Sequence, residues 1–189
     1  PLPASFTNVV GADLDLANCL NALSARYNLM LGRYNQALIA ANKVVLTSTS
    51  TFKFDNVFTN PLFRSSFTTN NVHDASSNMG LSGVLAPDPA DGRLPFYLIT
   101  TGSFTPAAPR ARGFFKADAD PIPFYLPGEI ILIKAEAYAR LGTPADLANA
   151  IIQINLIRQK TTDPLGVNAN LPAYTGGLTQ NDLLLEIYK

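Results

Sequence analysis

Two stretches of this chain place apolar residues at helical spacing and then stop on the same dipeptide, Leu31-Gly32 and Leu141-Gly142. Glycine at that position takes the left-handed conformation without a Cβ clash, so it closes a helix and turns the chain. A second helical pattern begins one or two residues after each corner. A link that short makes the two helices pack antiparallel. The fold class read from this is mainly α, built on antiparallel helical hairpins.

The first stretch, residues 13–31, is apolar at Leu16, Leu20, Leu23, Tyr27 and Met30, which marks one face of a helix. Asp13 is placed to cap its N-terminus. Tyr34, Ala37, Leu38, Ala41 and Val45 mark one face of the next helix, where Ala37, Ala40 and Ala41 leave room for close approach. Pro127 suits a first helical turn. Ile130, Ile131, Ile133, Ala135, Ala137, Tyr138 and Leu141 then cover most of the circumference, which predicts a central helix. After Gly142, Thr143 with Pro144 and Asp146 has the pattern of a capping box, ahead of Leu147, Ile151, Ile154 and Ile157 or Arg158. Thr179 with Asp182 repeats that pattern before the final "LLLEIYK".

Residues 46–126 are of another kind. Pro61, Pro87, Pro89, Pro95, Pro106, Pro109, Pro121 and Pro123 punctuate them, and "PDPADGR" is a turn. "LPFYLITTGSF" is the best short-strand candidate. The expectation is one domain over 1–189 in three parts: a hairpin over 13–45, a long irregular loop-rich insertion over 46–126, and a second helical part over 127–189. Loops of such length inside a domain tend to carry function.

Few residues suggest chemistry. The single histidine, His73, lies beside Asp74 with no G-x-S-x-G nucleophile motif, and reads as a solvated loop residue. One imidazole cannot supply a histidine-based metal site. Asp88, Asp91, Asp118 and Asp120 read as turn residues. Calcium is the one ion their loops suggest, but they lack the twelve-residue spacing and closing Glu of a calcium loop. Glu129 and Glu136 are about 10.5 Å apart along a helix axis, at or beyond the roughly 5–10 Å of paired catalytic carboxylates; a helix surface or an ion pair with Arg140 suits them better. Cys19, the only cysteine, falls in an apolar helical pattern and reads as a small buried hydrophobe. No catalytic residue, metal site or cofactor is expected, and so no enzyme.

Fourteen basic residues balance fourteen acidic ones without a basic cluster, which argues against nucleic acid and anionic lipid as partners. No run of 18 apolar residues exists to span a bilayer. The lack of an initiator Met and the helical pattern still running at the end suggest an internal fragment. The insertion is rich in aromatics, among them Phe52, Phe58, Phe96, Tyr97, Phe104, Phe114 and Phe124. Most are expected to anchor the loop; some could offer ring faces to a ligand. Tyr97 and Phe104 are the nominees for ligand binding.

The pairing of "ARYNLMLGRYNQALIAANKVV" with "PFYLPGEIILIKAEAYARLGTPADLANAIIQINLIRQK" resembles the SusD/RagB family. The resemblance rests on Ala135-Glu136-Ala137, the Leu141-Gly142 corner, and Ile154-Asn155-Leu156-Ile157-Arg158, with the early corner similar to that family's tetratricopeptide-like first half. It implies a tetratricopeptide-like helical scaffold displaying a variable insertion. It further implies a lipoprotein on the surface of a Bacteroidetes-type outer membrane, anchored through a lipid outside this stretch. Such a protein captures glycans or other nutrients and passes them to a SusC-like TonB-dependent transporter. The alternative expectation is a tetratricopeptide-type scaffold mediating protein–protein interaction.

Overall fold

The computed structural model describes residues 3–4, 14–66, 76–99 and 110–189. The chain is mainly α, with seven α-helices and four two-residue strands among these residues. Asp15 opens α1 (Leu16–Met30) by accepting the Asn18 amide at 3.0 Å. The expected cap, Asp13, lies outside the described residues. Gly32 follows with φ 72°, as the first corner requires, and α2 (Tyr34–Ala41) packs back onto α1.

The face that α1 buries differs from the expected stripe. Asn18, Cys19, Ala22 and Ala25 point inward, while Leu20, Tyr27 and Met30 are 56%, 57% and 74% exposed. The reason is the partner. Across the seam α2 buries Ala37, Leu38, Ala40 and Ala41, and the alanines on both helices let the backbones close up. A leucine in place of one of those alanines would hold them apart. After α2, Val44 and not Val45 is buried, because the helix ends at Ala41 and the spacing no longer holds. Cys19 is in the core, as its surroundings in the sequence indicated, and burial raises its thiol pKa.

After α2 the chain leaves the helices on a long excursion. Its two ends return to each other: β1 (Thr51–Phe52) and β4 (Ile122–Pro123) pair antiparallel, and the Phe124 amide donates to Ser50 O at 2.8 Å. Within it lie α3 (Pro61–Ser66), two 3-10 turns (Ser77–Gly80 and Gly83–Leu85) and α4 (Arg93–Tyr97). β2 (Leu98–Ile99) pairs with β3 (Arg110–Ala111). The strand expected around Pro95 is thus in part a helical turn. Asp91 starts that turn by accepting the Arg93 amide, and Pro95 sits in the first turn, where a missing N–H is of no consequence. Asn60 pins the excursion from inside. Its amide group donates to Phe114 O and Asp120 O, both at 2.9 Å, and its carbonyl accepts the Leu62 and Phe63 amides. Phe96 meets Tyr97 and Phe114 edge-on at 4.9 and 5.4 Å, the anchoring role expected of the loop aromatics.

Helical order resumes with α5 (Pro127–Leu141), α6 (Pro144–Arg158) and α7 (Gln180–Ile187). α5 touches α1, α2, α6 and α7, and so is central. Ile130, Ile133 and Ala137 enter a core shared with α1 and α2; Ala135 and Ala139 enter a second core shared with α6 and α7. This double burial explains apolar residues around its circumference. Gly142 closes α5 with φ 74°. The Thr179–Asp182 box is complete. At α6 only half of it forms: Thr143 Oγ1 accepts the Asp146 amide, and the Asp146 carboxylate takes the Thr143 hydroxyl instead of its backbone N–H.

Candidate functional site

The inner ends of the long helices and the loop excursion enclose a cleft of about 390 Å³. α5 supplies Gly128, Glu129, Leu132, Ile133 and Glu136 to it. Leu29 comes from the end of α1, Ile157 from α6 and Ile187 from α7, while Arg93 and Tyr97 come from α4 in the excursion. Lys160, Asp163 and Val167, in the loop after α6, complete one side.

Each charged group at the cleft has an internal partner. Arg26 on α1 grips Glu129 with Nε to Oε1 at 2.6 Å and Nη2 to Oε2 at 2.9 Å, a two-pronged bond that ties α1 to α5. Glu136 Oε1 accepts Arg140 Nε at 2.7 Å, the ion pair expected of an i,i+4 spacing, and also the Tyr188 hydroxyl at 2.8 Å. The Glu136 carboxylate and the Tyr188 hydroxyl hold Arg140 firmly charged. Lys160 Nζ bonds Asp163 Oδ2 at 2.7 Å, and Arg93 bonds Asp91 through Nε and Nη2. Glu129 and Glu136 thus serve as ion-pair partners at the cleft wall.

Tyr97, nominated from the sequence, lines this cleft. Burial pushes its hydroxyl pKa up to about 12, with Arg93 pulling it down and Asp163 pushing it up. The other nominee, Phe104, lies outside the described residues, as does His73. The excursion shares this cleft with helix faces, since α5 forms much of its wall. α5 keeps Gly128, Leu132 and Glu136 for the cleft. Lys160, Asp163 and Ile187 carry no motif in the sequence, and only their convergence marks them.

A second, polar cleft of about 450 Å³ adjoins the first. Asp88, Asp91, Arg158, Tyr174, Glu186 and Lys189 are among its walls, and Arg93 lines both. Arg158 is ion-paired with Glu186 there. Asp88 caps the Ala90 amide and Asp120 the amides of Lys116 and Ala117, the turn roles expected of these loop aspartates. Asp118 pairs with Arg64, and Asp91 is buried as the partner of Arg93. Among the described residues no three His, Cys, Asp or Glu side chains are grouped to hold a metal ion. No family model, curated protein or solved structure matches this chain.

Proposed function

We propose that this chain belongs to a SusD/RagB-like capture protein that binds a glycan or other nutrient at the outer-membrane surface. It would pass that cargo to a SusC-like TonB-dependent transporter and be held at the membrane by a lipid anchor. One observation carries the reading: the cleft forms where Arg93 and Tyr97, displayed by the long excursion, meet the helical scaffold. The helix contacts support it. α1 with α2, α2 with α5, α5 with α6, and also α1 with α5 and α5 with α7, follow the neighbour order of stacked tetratricopeptide-like hairpins. The proposal is binding without turnover. Glu129 and Glu136, the carboxylates on α5, are engaged by Arg26, Arg140 and Tyr188 and are not poised to move protons for a reaction.

The test is titration with a panel of oligosaccharides, reading backbone amide shifts. Saturable shifts should centre on Arg93–Tyr97 and the start of α5. Tyr97→Ala should weaken binding about three- to tenfold, the worth of one aromatic contact. A tetratricopeptide-type scaffold for protein partners is the second reading, favoured by the exposed Leu20, Tyr27 and Met30 on α1. Shifts along Leu16–Val45 with the excursion silent would replace the first reading with the second.

A further inference from the structure

The cleft beside α5 is lined by apolar side chains, among them Leu126, Leu132, Ile133, Ile157 and Ile187. Glu129, Glu136 and Tyr188 on its wall are bound to arginines or to one another, and Arg93, Tyr97 and Lys160 line it too. The Lys160 side chain is only 13% exposed, and of its three N–H groups one is engaged, by Asp163, whose side chain is 1% exposed. Arg93 gives Nε and Nη2 to Asp91, and no bond among the described residues engages its Nη1. The Tyr97 hydroxyl has no hydrogen-bond partner among the described residues and lies within the fields of Arg93 and Asp163.

The carboxylates paired with these cations are already engaged. Asp163 Oδ2 holds the Lys160 ammonium, and its Oδ1 takes the Leu165 and Val167 amides at 2.8 and 3.4 Å. Both Asp91 oxygens hold Arg93. Around Arg93, Tyr97 and Lys160, unengaged donors are therefore in surplus over these acceptors. The group that matches such a surplus is a carboxylate, which accepts only. A sugar hydroxyl brings a donor with each acceptor, and so matches such a surplus less closely than a carboxylate does.

We propose that the cleft takes a small molecule with an apolar body and a carboxylate end, the carboxylate on Lys160, Tyr97 and Arg93 and the body against Leu132, Ile157 and Ile187. This rests on the reading of the cleft as the capture site and narrows its cargo. Gly128 supplies the room. It stands in the first turn of α5, and a Cβ there would lie 3.5 Å from Ile157 Cδ1 and 3.6 Å from Lys160 Nζ, against one apolar and one charged lining residue. A longer side chain would occupy the place of the ligand.

The probes are 4-phenylbutyrate, its neutral counterpart 4-phenylbutanol, and maltohexaose, each titrated into the whole chain with amide shifts as the readout. The acid should shift Gly128, Leu132 and Val167 saturably and bind about tenfold tighter than the alcohol, as bonds to a charged acceptor are the stronger ones. Tyr97→Phe keeps the ring in its aromatic packing; it should weaken the acid about tenfold and leave the alcohol unchanged. Gly128→Leu should abolish binding of both, and should it fail to fold, the Tyr97→Phe comparison still decides. Equal affinity for acid and alcohol, or an unchanged acid affinity in Tyr97→Phe, would overturn the inference. Cleft shifts from maltohexaose alone would overturn it while leaving nutrient capture standing. Silence of the cleft toward all three probes would overturn both.

Discussion

Asn18 shows how much one polar side chain can hold. It is buried in α1, donates to Val45 O at 2.9 Å and to the Tyr125 hydroxyl at 2.5 Å, and accepts the Val45 amide at 2.8 Å. Tyr125 in turn donates to Ser48 O at 2.7 Å. These bonds join α1, the exit from α2 and the approach to α5, three places far apart in sequence. Asn18→Ala would take these bonds from the Val45 amide and carbonyl and from the buried Tyr125 hydroxyl. The expected loss is about 3 kcal/mol in urea unfolding, since each stranded group costs roughly 1–3 kcal/mol. A loss below about 0.5 kcal/mol, the range of an ordinary surface change, would show that the knot does not hold the two parts together. No spacing rule singles out Asn18: within "LANCLNAL" it reads only as a polar residue in a helix.

At the scale of elements, the helix ends were legible and some of their partners were not. Gly142 has the positive φ its position in the sequence demands. The structure adds Gln180, the first residue of α7, whose Nε2 donates to Ala139 O at 2.8 Å and Arg140 O at 3.2 Å. It thereby satisfies carbonyls that the end of α5 leaves open. A Cβ at Gly142 would stand 3.4 Å from that Nε2. Gly142→Val is therefore strained by conformation and crowds the cap as well. It should cost roughly 1–2 kcal/mol or more, a fall of about 2–8 °C in the melting midpoint for a chain of this size, followed by circular dichroism at the helix band. An unchanged midpoint would mean the corner is not built on positive φ.

The whole molecule decides which faces meet. Ala22, Ala25, Ala37 and Ala41 form a close seam between α1 and α2, while the leucine and tyrosine stripe of α1 stays outside it. Ala25→Leu should cost about 1–3 kcal/mol by overpacking. Leu20→Gln should change stability by no more than about 0.5 kcal/mol. Both are read as shifts of the urea midpoint, and the reverse order would put the large apolar stripe in the core. The amino-acid sequence by itself determined the glycine corners after α1 and α5, the threonine-capped starts of α6 and α7, that Cys19 is buried, and that α5 is central. Those signals act within a turn or two, through caps, a positive-φ glycine and apolar residues on every side. Tertiary structure alone decided that α1 buries its small face, and that Tyr97, Lys160 and Ile187 meet at one cleft. Periodicity says which residues share a face of a helix, but burial depends on whether a neighbour can come close enough to cover it. For α1 that neighbour is the alanine face of α2; for the cleft it is an excursion closed by β1 and β4 and pinned by Asn60.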